Sequence, residues 1–352
     1  MELEKILRKA VEKNASDIFM IAGQPVSFKI GNQIVKEDET KLMPQDTEEV
    51  VGHLYGMADR DIQRFKKTGD DDFSVSLREV GRFRVNVFKQ RGSSGAVLRV
   101  VSFTLPDYTE MGIPDGVMEL AKLKKGLVLV TGSAGSGKST TMSYIIDRIN
   151  KTRSCHILTL EDPIEFLHRH DKSIVSQREI NIDTESYARA LRAGMRQSPD
   201  VIFVGEMRDL ETIETAMTAA ETGHLVLSTL HTVGTANAID RVIDVFPASQ
   251  QQQIRVQMSM VTKAIVSQQL IPGISGSQYP AFEILKVNSA VRTMIRENKI
   301  HQIDSIIHAS AAEGMKTMDA SLAELCKRGK VSEEVAADYA ANPEAFRRLL
   351  GV

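Results

Sequence analysis

Apolar and polar residues alternate over the first hundred positions, and this alternation predicts a small α+β domain. MELEKILRKAVEKNASD has the spacing of an amphipathic helix, and SDIFMIAGQPVSFKI alternates on both sides of its AGQP turn, which is typical of a β-hairpin. After helical patches in TEEVVGHLYG and DIQRFKK, FSVSLREVGRFRVNVF has an apolar residue at every second position around a turn at 79–81. We predict a half-buried hairpin there, with Arg82 and Arg84 on its outer face, and a further strand that carries Arg99.

The pattern of apolar and polar residues changes from about residue 111 onward. Four short apolar runs, GLVLVTG, HILTLED, VIFVGE and LVLSTLH, are each followed by a helical pattern. This order predicts an α/β fold in which parallel strands are joined by crossover helices. We therefore predict an N-terminal α+β domain over 1–100, a proline-marked linker over 101–113 and an α/β domain over 114–352. From about 249 to 352 we expect helices, with FEIL as the one strand.

Composition excludes several classes of protein. Charged residues make up 26% of the chain and the formal net charge is -2, so we expect no nucleic-acid partner. The two cysteines stand far apart with no CxxC, which excludes a zinc knuckle or a disulfide scaffold and fits a reducing compartment. There is no signal-peptide pattern, and the apolar runs are far shorter than a membrane span. We expect a soluble, cytoplasmic protein that can still act against a membrane partner.

The strongest chemical signal is a phosphate-binding loop in GLVLVTGSAGSGKSTT. It follows an apolar strand and precedes a segment of helical spacing, which are the two contexts that the motif requires. Its backbone N–H groups and the helix N-terminus can surround phosphate oxygens, while the lysine adds a positive charge and the following hydroxyl can ligate Mg²⁺. The predicted nucleotide-binding residues are Gly132, Ser133, Gly135, Ser136, Gly137, Lys138, Ser139 and Thr140, with Ser139 also a metal ligand.

Two other strands should bring acids to the same edge of the sheet, because ligands of open parallel sheets bind at the carboxyl ends of the strands. PDVIFVGEMRD begins like a metal-binding acidic strand but ends in Gly205 and Glu206 rather than Asp. HILTLEDPIEF ends near Asp162, and Pro163 then forces a turn that can present Glu165. One acid can hold Mg²⁺, directly or through water, while the other activates the attacking water. The alternative is that these acids only cap strands or form salt bridges.

Histidine and arginine residues complete the predicted site. His231 follows its strand at the carboxyl end, which favours sensing of the terminal phosphate, whereas His224 precedes the strand and fits an ordinary hydrogen-bonding role. We expect no zinc site at these histidines, because no third or fourth ligand has a recognisable spacing. The N-terminal arginines, Arg82, Arg84 and Arg99, are either solvated or reach a neighbouring subunit's γ-phosphate as arginine fingers. Arg241 is a further candidate for an interface or phosphate contact.

Longer motifs resemble a known family. EDPIEFLH and PDVIFVGEMRDLETIETAMTAAETGHLVLSTLHT resemble the Asp box, the atypical Walker B strand and the His box of the secretion-type ATPases. SDIFMIAGQP, GRFRVNVFKQRG, IDVFPASQQQQIRVQ and HQIDSIIHASAAEGMKTMD extend the likeness to the type IV pilus retraction ATPases over nearly the whole chain. The resemblance implies a PAS-like N-terminal domain, a RecA-like ATPase domain and a homohexameric ring at the cytosolic face of the inner membrane.

The resemblance also implies roles for single residues. Glu165 becomes the general base, Glu206 the Walker B acid acting on Mg²⁺, and His231 the His-box residue near the γ-phosphate of ATP, although the two glutamates can exchange roles. The N-terminal arginines become contributors in trans. AVRTMIRE at 290–297 resembles the family's retraction-linked motif AIRNLIRE, with Thr293 in place of the amide. Its apolar residues form a stripe, and its arginines share the other side.

The implied partners are an inner-membrane pilus platform protein and, in some systems, a paralogous retraction ATPase. Two alternatives stay open. A pilus-assembly or type II secretion motor is one, although for it we expect a longer N-terminal region and a four-cysteine zinc element, which this chain lacks. A nucleotide-binding accessory subunit that hydrolyses little ATP is the other, although the lysine, the hydroxyl and both acids are present.

Overall fold

The computed structural model describes residues 2–31, 33–101 and 105–351, and the chain divides into two compact units. The first unit comprises Met1–Thr104 together with Glu165–Leu167, and the second comprises Leu105–Ile164 and His168–Val352. Part of the predicted linker, residues 102–104, lies outside the described residues. From Leu105 onward that segment packs against the core of the second unit. No helix in the described residues is long and apolar enough to cross a membrane.

The first unit is an antiparallel sheet in the order β3-β2-β1-β6-β5-β4. Its elements are α1 (Leu3–Glu12), β1 (Asp17–Ile21), β2 (Pro25–Ile30), β3 (Gln33–Lys41), α2 (Pro44–Met57), α3 (Gln63–Thr68), β4 (Asp70–Leu77), β5 (Gly81–Gln90) and β6 (Ser93–Val101).

One face of this sheet forms the core with the three helices. The alternating apolar residues of β4 and β5, such as Phe73 and Val85, are buried and lie directly opposite each other. They pack with Leu7 of α1 and Leu54 of α2. The apolar face of the strands is therefore covered by the apolar face of the helices. Both predicted hairpins are confirmed. Strand β3 was not predicted, because it is exposed almost throughout and its charged residues show no alternation.

The second unit is built on a mixed sheet in the order β13-β12-β7-β11-β10-β8-β9. Its elements are α4 (Asp115–Met118), β7 (Gly126–Thr131), α5 (Lys138–Thr152), β8 (His156–Glu161), β9 (Ile174–Glu179), α6 (Tyr187–Gly194), β10 (Val201–Val204), α7 (Leu210–Glu221), β11 (Leu225–Leu230), α8 (Thr235–Asp244), α9 (Ala248–Val261), β12 (Thr262–Pro272), β13 (Gln278–Lys286), α10 (Ser289–Arg296), α11 (Ile303–Ala309), α12 (Met318–Lys327), α13 (Glu333–Tyr339) and α14 (Pro343–Leu350), with 3₁₀ turns at Glu119–Lys122, Ile300–Gln302 and Ala311–Glu313.

Helices cover both faces of this sheet. Alternate residues of the central strands point to opposite sides, so Leu129 packs with α7, α8 and α9 while Val130 packs with α4 and α5. Strands β7, β11, β10 and β8 are fully or almost fully buried, which explains why each reads as a continuous apolar run. They are mutually parallel, as predicted. Their carboxyl ends therefore lie in a row at one edge of the sheet.

The expectation of helices after residue 249 is wrong in one region. Strand β12 continues directly from α9, runs parallel to β7 and pairs with β13 in an antiparallel ladder. The predicted FEIL strand is the buried middle of β13. TKAIVSQQLIP carries a lysine and two glutamines, so it resembles neither an alternating strand nor a continuous apolar one, and the helix before it ends without a glycine. Strand β9 was also not predicted.

Helix α10 contains most of the AVRTMIRE motif. Val291 and Ile295 are buried and Met294 packs against the same core cluster, so the predicted apolar stripe is confirmed. Asn288 accepts a hydrogen bond from the Val291 N–H and caps the helix. Thr293 donates to the Ser289 carbonyl and accepts from Arg296, so it is occupied within its own helix. Arg296 is exposed.

Candidate active site

The predicted phosphate loop lies between β7 and α5. At Gly132 the backbone has φ +146°, and a Cβ at this position would lie 2.2 Å from the Gln268 carbonyl oxygen and 2.6 Å from Ser136 Oγ. A side chain is therefore excluded there by both conformation and space. Helix α5 begins at Lys138, so its unpaired N–H groups and the positive end of its dipole face the loop. The loop has the form that cradles an anion.

Lys138 is buried and extends back along the loop. Its Nζ donates hydrogen bonds to the carbonyl oxygens of Gly132 at 2.9 Å and of Ser133 at 2.7 Å. This holds the ammonium group inside the turn. The structure brings the eight predicted nucleotide-binding residues into this one loop and the first turn of α5, and their contacts with a nucleotide remain predictions.

Strand order places Glu206 and His231 on neighbouring strands. Strand β11 lies between β7 and β10, so His231, which follows β11, stands between the phosphate-loop strand and the strand that leads to Glu206. The Glu206 carboxylate accepts from two sides: His231 Nε2 lies 3.2 Å from Oε2 and Arg208 Nε lies 2.6 Å from Oε1. A side-chain hydrogen bond ties the two strand ends together, since Thr229 Oγ1 donates to the Gly205 carbonyl.

Tyr187 of α6 approaches the same strand end. A Cβ at Gly205 would lie 2.9 Å from the Tyr187 hydroxyl, which explains why glycine precedes Glu206. Burial, and then the negative charges of Glu206, Asp162 and Glu161, raise the pKa of the Tyr187 hydroxyl above its ordinary range. The hydroxyl therefore stays protonated beside a cluster of acids.

The acids that follow β8 separate in the structure. Glu161 is buried, and its Oε1 accepts from Thr159 Oγ1 at 2.6 Å and from Gln177 Nε2 at 3.1 Å. Asp162 is exposed, and the bond between it and Pro163 is cis. Glu165 is also exposed and belongs by its contacts to the first unit. Its predicted role as general base stays a prediction.

Two cavities adjoin these residues. One, of about 700 Å³, is lined by Glu206, Arg208, His231 and Arg241 among others, so the exposed Arg241 faces the same space as the acid and the histidine. The other, of about 550 Å³, lies beside the phosphate loop. Its lining includes Gly137 and Thr140, together with the segment 109–113 and residues of β12 and β13. Both have the size of small-molecule sites.

The N-terminal arginines lie on one face of the first unit's sheet. Arg84 and Arg99 are directly opposite each other on β5 and β6, and Arg82 is two residues from Arg84 on the same face. Arg99 Nε is 3.0 Å from Asp17 Oδ1, so this arginine is engaged in an ion pair within its own unit. Arg84 is exposed and Arg82 is half-buried. Their action in trans stays a prediction.

The polar groups of the site fit a nucleotide accompanied by a metal ion. Ser136 Oγ is buried and has no hydrogen-bond partner within the described residues, as expected of a group that completes its bonding with a ligand. No cluster of three or more His, Cys, Asp or Glu in the described part of the chain is arranged to hold a metal. The predicted metal ligands Ser139 and Glu206 both offer oxygen donors. Such a set fits Mg²⁺, which is commonly held by one or two carboxylates and substrate phosphates.

Three residues of this region were not predicted from the sequence. Arg208 stands two positions after Glu206 in GEMRD, so an ion pair between them could have been predicted from the sequence. Tyr187 and Gln268 reach the site only through tertiary packing. Helix α6 packs on β8 and brings Tyr187 beside Gly205, and β12 pairs with β7. His224 bonds to the Ala219 carbonyl, which fits the ordinary role expected of it.

Comparison with known proteins agrees with this geometry. Residues 1–316 match the family described as type II/IV secretion system protein. The type IV pilus retraction ATPase PilT of Pseudomonas aeruginosa is 41% identical over 98% of this chain and 100% of its own length. The type IV pilus ATPase PilU of the same organism is 38% identical over 99% of this chain and 91% of its own. A crystal structure of the pilus retraction motor PilT with bound ADP superposes with a TM-score of 0.89 at 46% identity, covering 99% of each chain.

Proposed function

Because the chain belongs to the type II/IV secretion system protein family, we propose that it is a motor ATPase that powers retraction of a type IV pilus. The observation that carries the proposal is the meeting of three parallel strand ends at one edge: the phosphate loop after β7, His231 after β11 and Glu206 after β10. Similarity to PilT over the full length of both chains supports the same reading. The substrate is then ATP, and the products are ADP and phosphate.

The phosphate loop binds the nucleotide phosphates. Lys138 supplies the positive charge. Its two hydrogen bonds to loop carbonyls hold the ammonium group within the loop. The cavity of about 550 Å³ beside Gly137 and Thr140 has room for the base and ribose. The ADP bound in the similar PilT structure supports nucleotide binding here.

Glu206 and His231 act at the γ-phosphate end. With bound nucleotide, Mg²⁺ would be held by Ser139 and Glu206, and it would neutralise charge on the phosphate oxygens. His231 donates a hydrogen bond to Glu206 and so fixes the direction of the carboxylate. Glu165 takes the proton of the attacking water as general base. The exchange of roles between Glu165 and Glu206 is the alternative.

The rest of the chain couples this chemistry to motion. The N-terminal domain over 1–100 is PAS-like, residues 101–113 are the linker, and 114–352 form a RecA-like ATPase domain. Six copies assemble into a ring, in which Arg82, Arg84 or Arg99 of one copy reaches the γ-phosphate held by its neighbour. Helix α10 presents Arg296 on an exposed face and anchors its other face in the core, as a moving interface requires.

The partner is a platform protein of the inner membrane, at whose cytosolic face the ring works. A second candidate function is that of a nucleotide-binding accessory subunit, and the observation behind it is that the chain is also 38% identical, over 99% of its length, to a second type IV pilus ATPase, PilU. The two differ in turnover: a retraction motor hydrolyses ATP by itself, whereas an accessory subunit depends on a paralogue.

A deletion strain tests the proposed function. We expect surface pili in abundance and no twitching, with twitching restored by the wild-type gene and not by Lys138→Ala. A strain without surface pili would contradict retraction and favour the assembly motor. Restoration by Lys138→Ala, with a functional paralogue present, would favour the accessory role.

A further inference from the structure

Gln268 of β12 lies beside the phosphate loop and is hydrogen-bonded to the first turn of α5. Its carbonyl oxygen lies 2.2 Å from the position that a Cβ of Gly132 would occupy. Its side-chain Oε1 accepts a hydrogen bond of 2.7 Å from Thr141 Oγ1 in α5. Its Nε2 lies 2.8 Å from the position of a Cβ at Gly137. Gln268 is only 3% exposed, so this amide is held between the start and the end of the loop.

Ser267, the residue before Gln268, is hydrogen-bonded to the loop that follows His231. Ser267 points to the opposite face of the sheet, and its Oγ accepts from the Gly234 N–H at 2.9 Å, in the segment that follows His231. Its cross-strand neighbour Glu283 accepts from the Thr235 N–H at 2.6 Å. Adjacent positions of β12 therefore contact the two loops that flank the site, one on each face of the sheet.

We propose that Gln268 is a positioning residue that sets the shape of the phosphate loop and orients the first turn of α5 toward the nucleotide. This proposal rests on the nucleotide binding of the proposed function. Its physical basis is that Thr141 fixes Oε1 and thereby turns the amide N–H₂ toward Gly137, where the helix begins. A buried amide that loses its partner is costly, so the pair has one stable arrangement.

The test compares affinity for fluorescently labelled ADP, and KM and kcat for ATP, in variants of the full chain. Gln268→Met keeps the length of the side chain and removes both polar ends, and Thr141→Val removes the hydroxyl that meets it. We expect each to weaken ADP affinity about three- to tenfold. The double variant should bind ADP as tightly as whichever single variant binds it less tightly, because both substitutions remove the same hydrogen bond.

Gln269→Met is the matched control. Gln269 is the next residue on the strand and donates to the Tyr339 carbonyl at 3.4 Å, away from the loop. We expect its ADP affinity to stay within about twofold of wild type, the usual scale of such surface-proximal changes. Equal weakening in Gln269→Met and Gln268→Met would overturn the proposal, because the effect would then belong to the strand as a whole.

Gln268→Glu tests the donor end of the side chain. The carboxylate still accepts from Thr141, but it loses the donor near Gly137 and adds a negative charge beside the phosphates. We expect ADP affinity lower than in Gln268→Met, and a melting temperature below wild type because the new carboxylate is buried. Wild-type affinity in both variants would overturn the proposal. If the Gln268 variants prove unfolded by circular dichroism, Thr141→Val decides alone. Absence of ADP binding in the wild-type protein would instead overturn the proposed function, and this inference with it.

Discussion

His231 Nε2 lies 3.2 Å from Glu206 Oε2, across the ends of two adjacent parallel strands. The second carboxylate oxygen of Glu206 is held by Arg208, at 2.6 Å. The orientation of the carboxylate is therefore fixed at both oxygens. Charge stabilisation in an active site requires such preorganised groups. The residues come from parts of the chain 25 positions apart, and the strand order brings them together.

His231→Ala should slow ATP hydrolysis about tenfold or more with little change in ADP affinity. The reason is that a hydrogen bond to a charged group contributes about 1.5–3 kcal/mol, and here it orients the acid that acts on the γ-phosphate. His224→Ala is the control, because His224 lies at the other end of β11 and bonds to the Ala219 carbonyl. Steady-state phosphate release measures both. Equal rates in the two variants would mean that His231 has no part in hydrolysis.

The features that could be predicted from the sequence are local in the chain. The phosphate loop, its strand and its helix are contiguous in the sequence, and each buried parallel strand can be recognised as an apolar run. Glu206 is readable because it directly follows such a strand. Gln268 and Thr141 are 127 positions apart, so their contact depends on the pairing of β12 with β7, and β12 itself has no clear period.

Glu165→Gln should retain nucleotide binding and lower ATP turnover roughly 100-fold, because general-base catalysis commonly contributes a factor of this size. Asp162→Asn, three positions earlier and also exposed, is the comparison and should be much less affected. Single-turnover measurements separate the chemical step from product release. Near-normal turnover in Glu165→Gln would remove its role as base and leave Glu206 as the remaining candidate.

Arg84→Ala should lower turnover through a neighbouring copy rather than through its own nucleotide. Arg84 is exposed and opposite Arg99, whereas Arg99 is paired with Asp17. Mixing Arg84→Ala subunits with Lys138→Ala subunits should restore part of the activity, because some interfaces then combine an intact arginine with an intact phosphate loop. Mixtures no more active than the separate variants would assign Arg84 a structural role. Arg99→Ala should reduce stability by about 1.5–3 kcal/mol, since it removes the charged partner of the buried Asp17 carboxylate.

Glu283 should make stability depend on pH. Burial is the main cause that raises the pKa of its carboxyl above the ordinary value of 4.5. A group whose pKa is higher in the folded state favours folding below its unfolded pKa, and this contribution is lost as pH rises through the folded value. Glu283→Gln can still accept from the Thr235 N–H, so its melting temperature should rise relative to wild type as pH increases from 4.5 toward neutrality. Exposed Glu344→Gln should show no such divergence. Parallel pH profiles for Glu283→Gln and wild type would contradict the prediction.

The central claim is that ATP is hydrolysed where the phosphate loop and Glu206 meet at the edge of the second unit's sheet. The most direct measurement is Mg²⁺-dependent phosphate release by the purified chain, beside Lys138→Ala, Glu206→Gln and the exposed control Glu214→Gln. We predict activity in wild type and Glu214→Gln, and a loss of roughly 100-fold or more in the other two, with ADP binding kept in Glu206→Gln. Undiminished phosphate release in Glu206→Gln, or in Lys138→Ala, would contradict the claim.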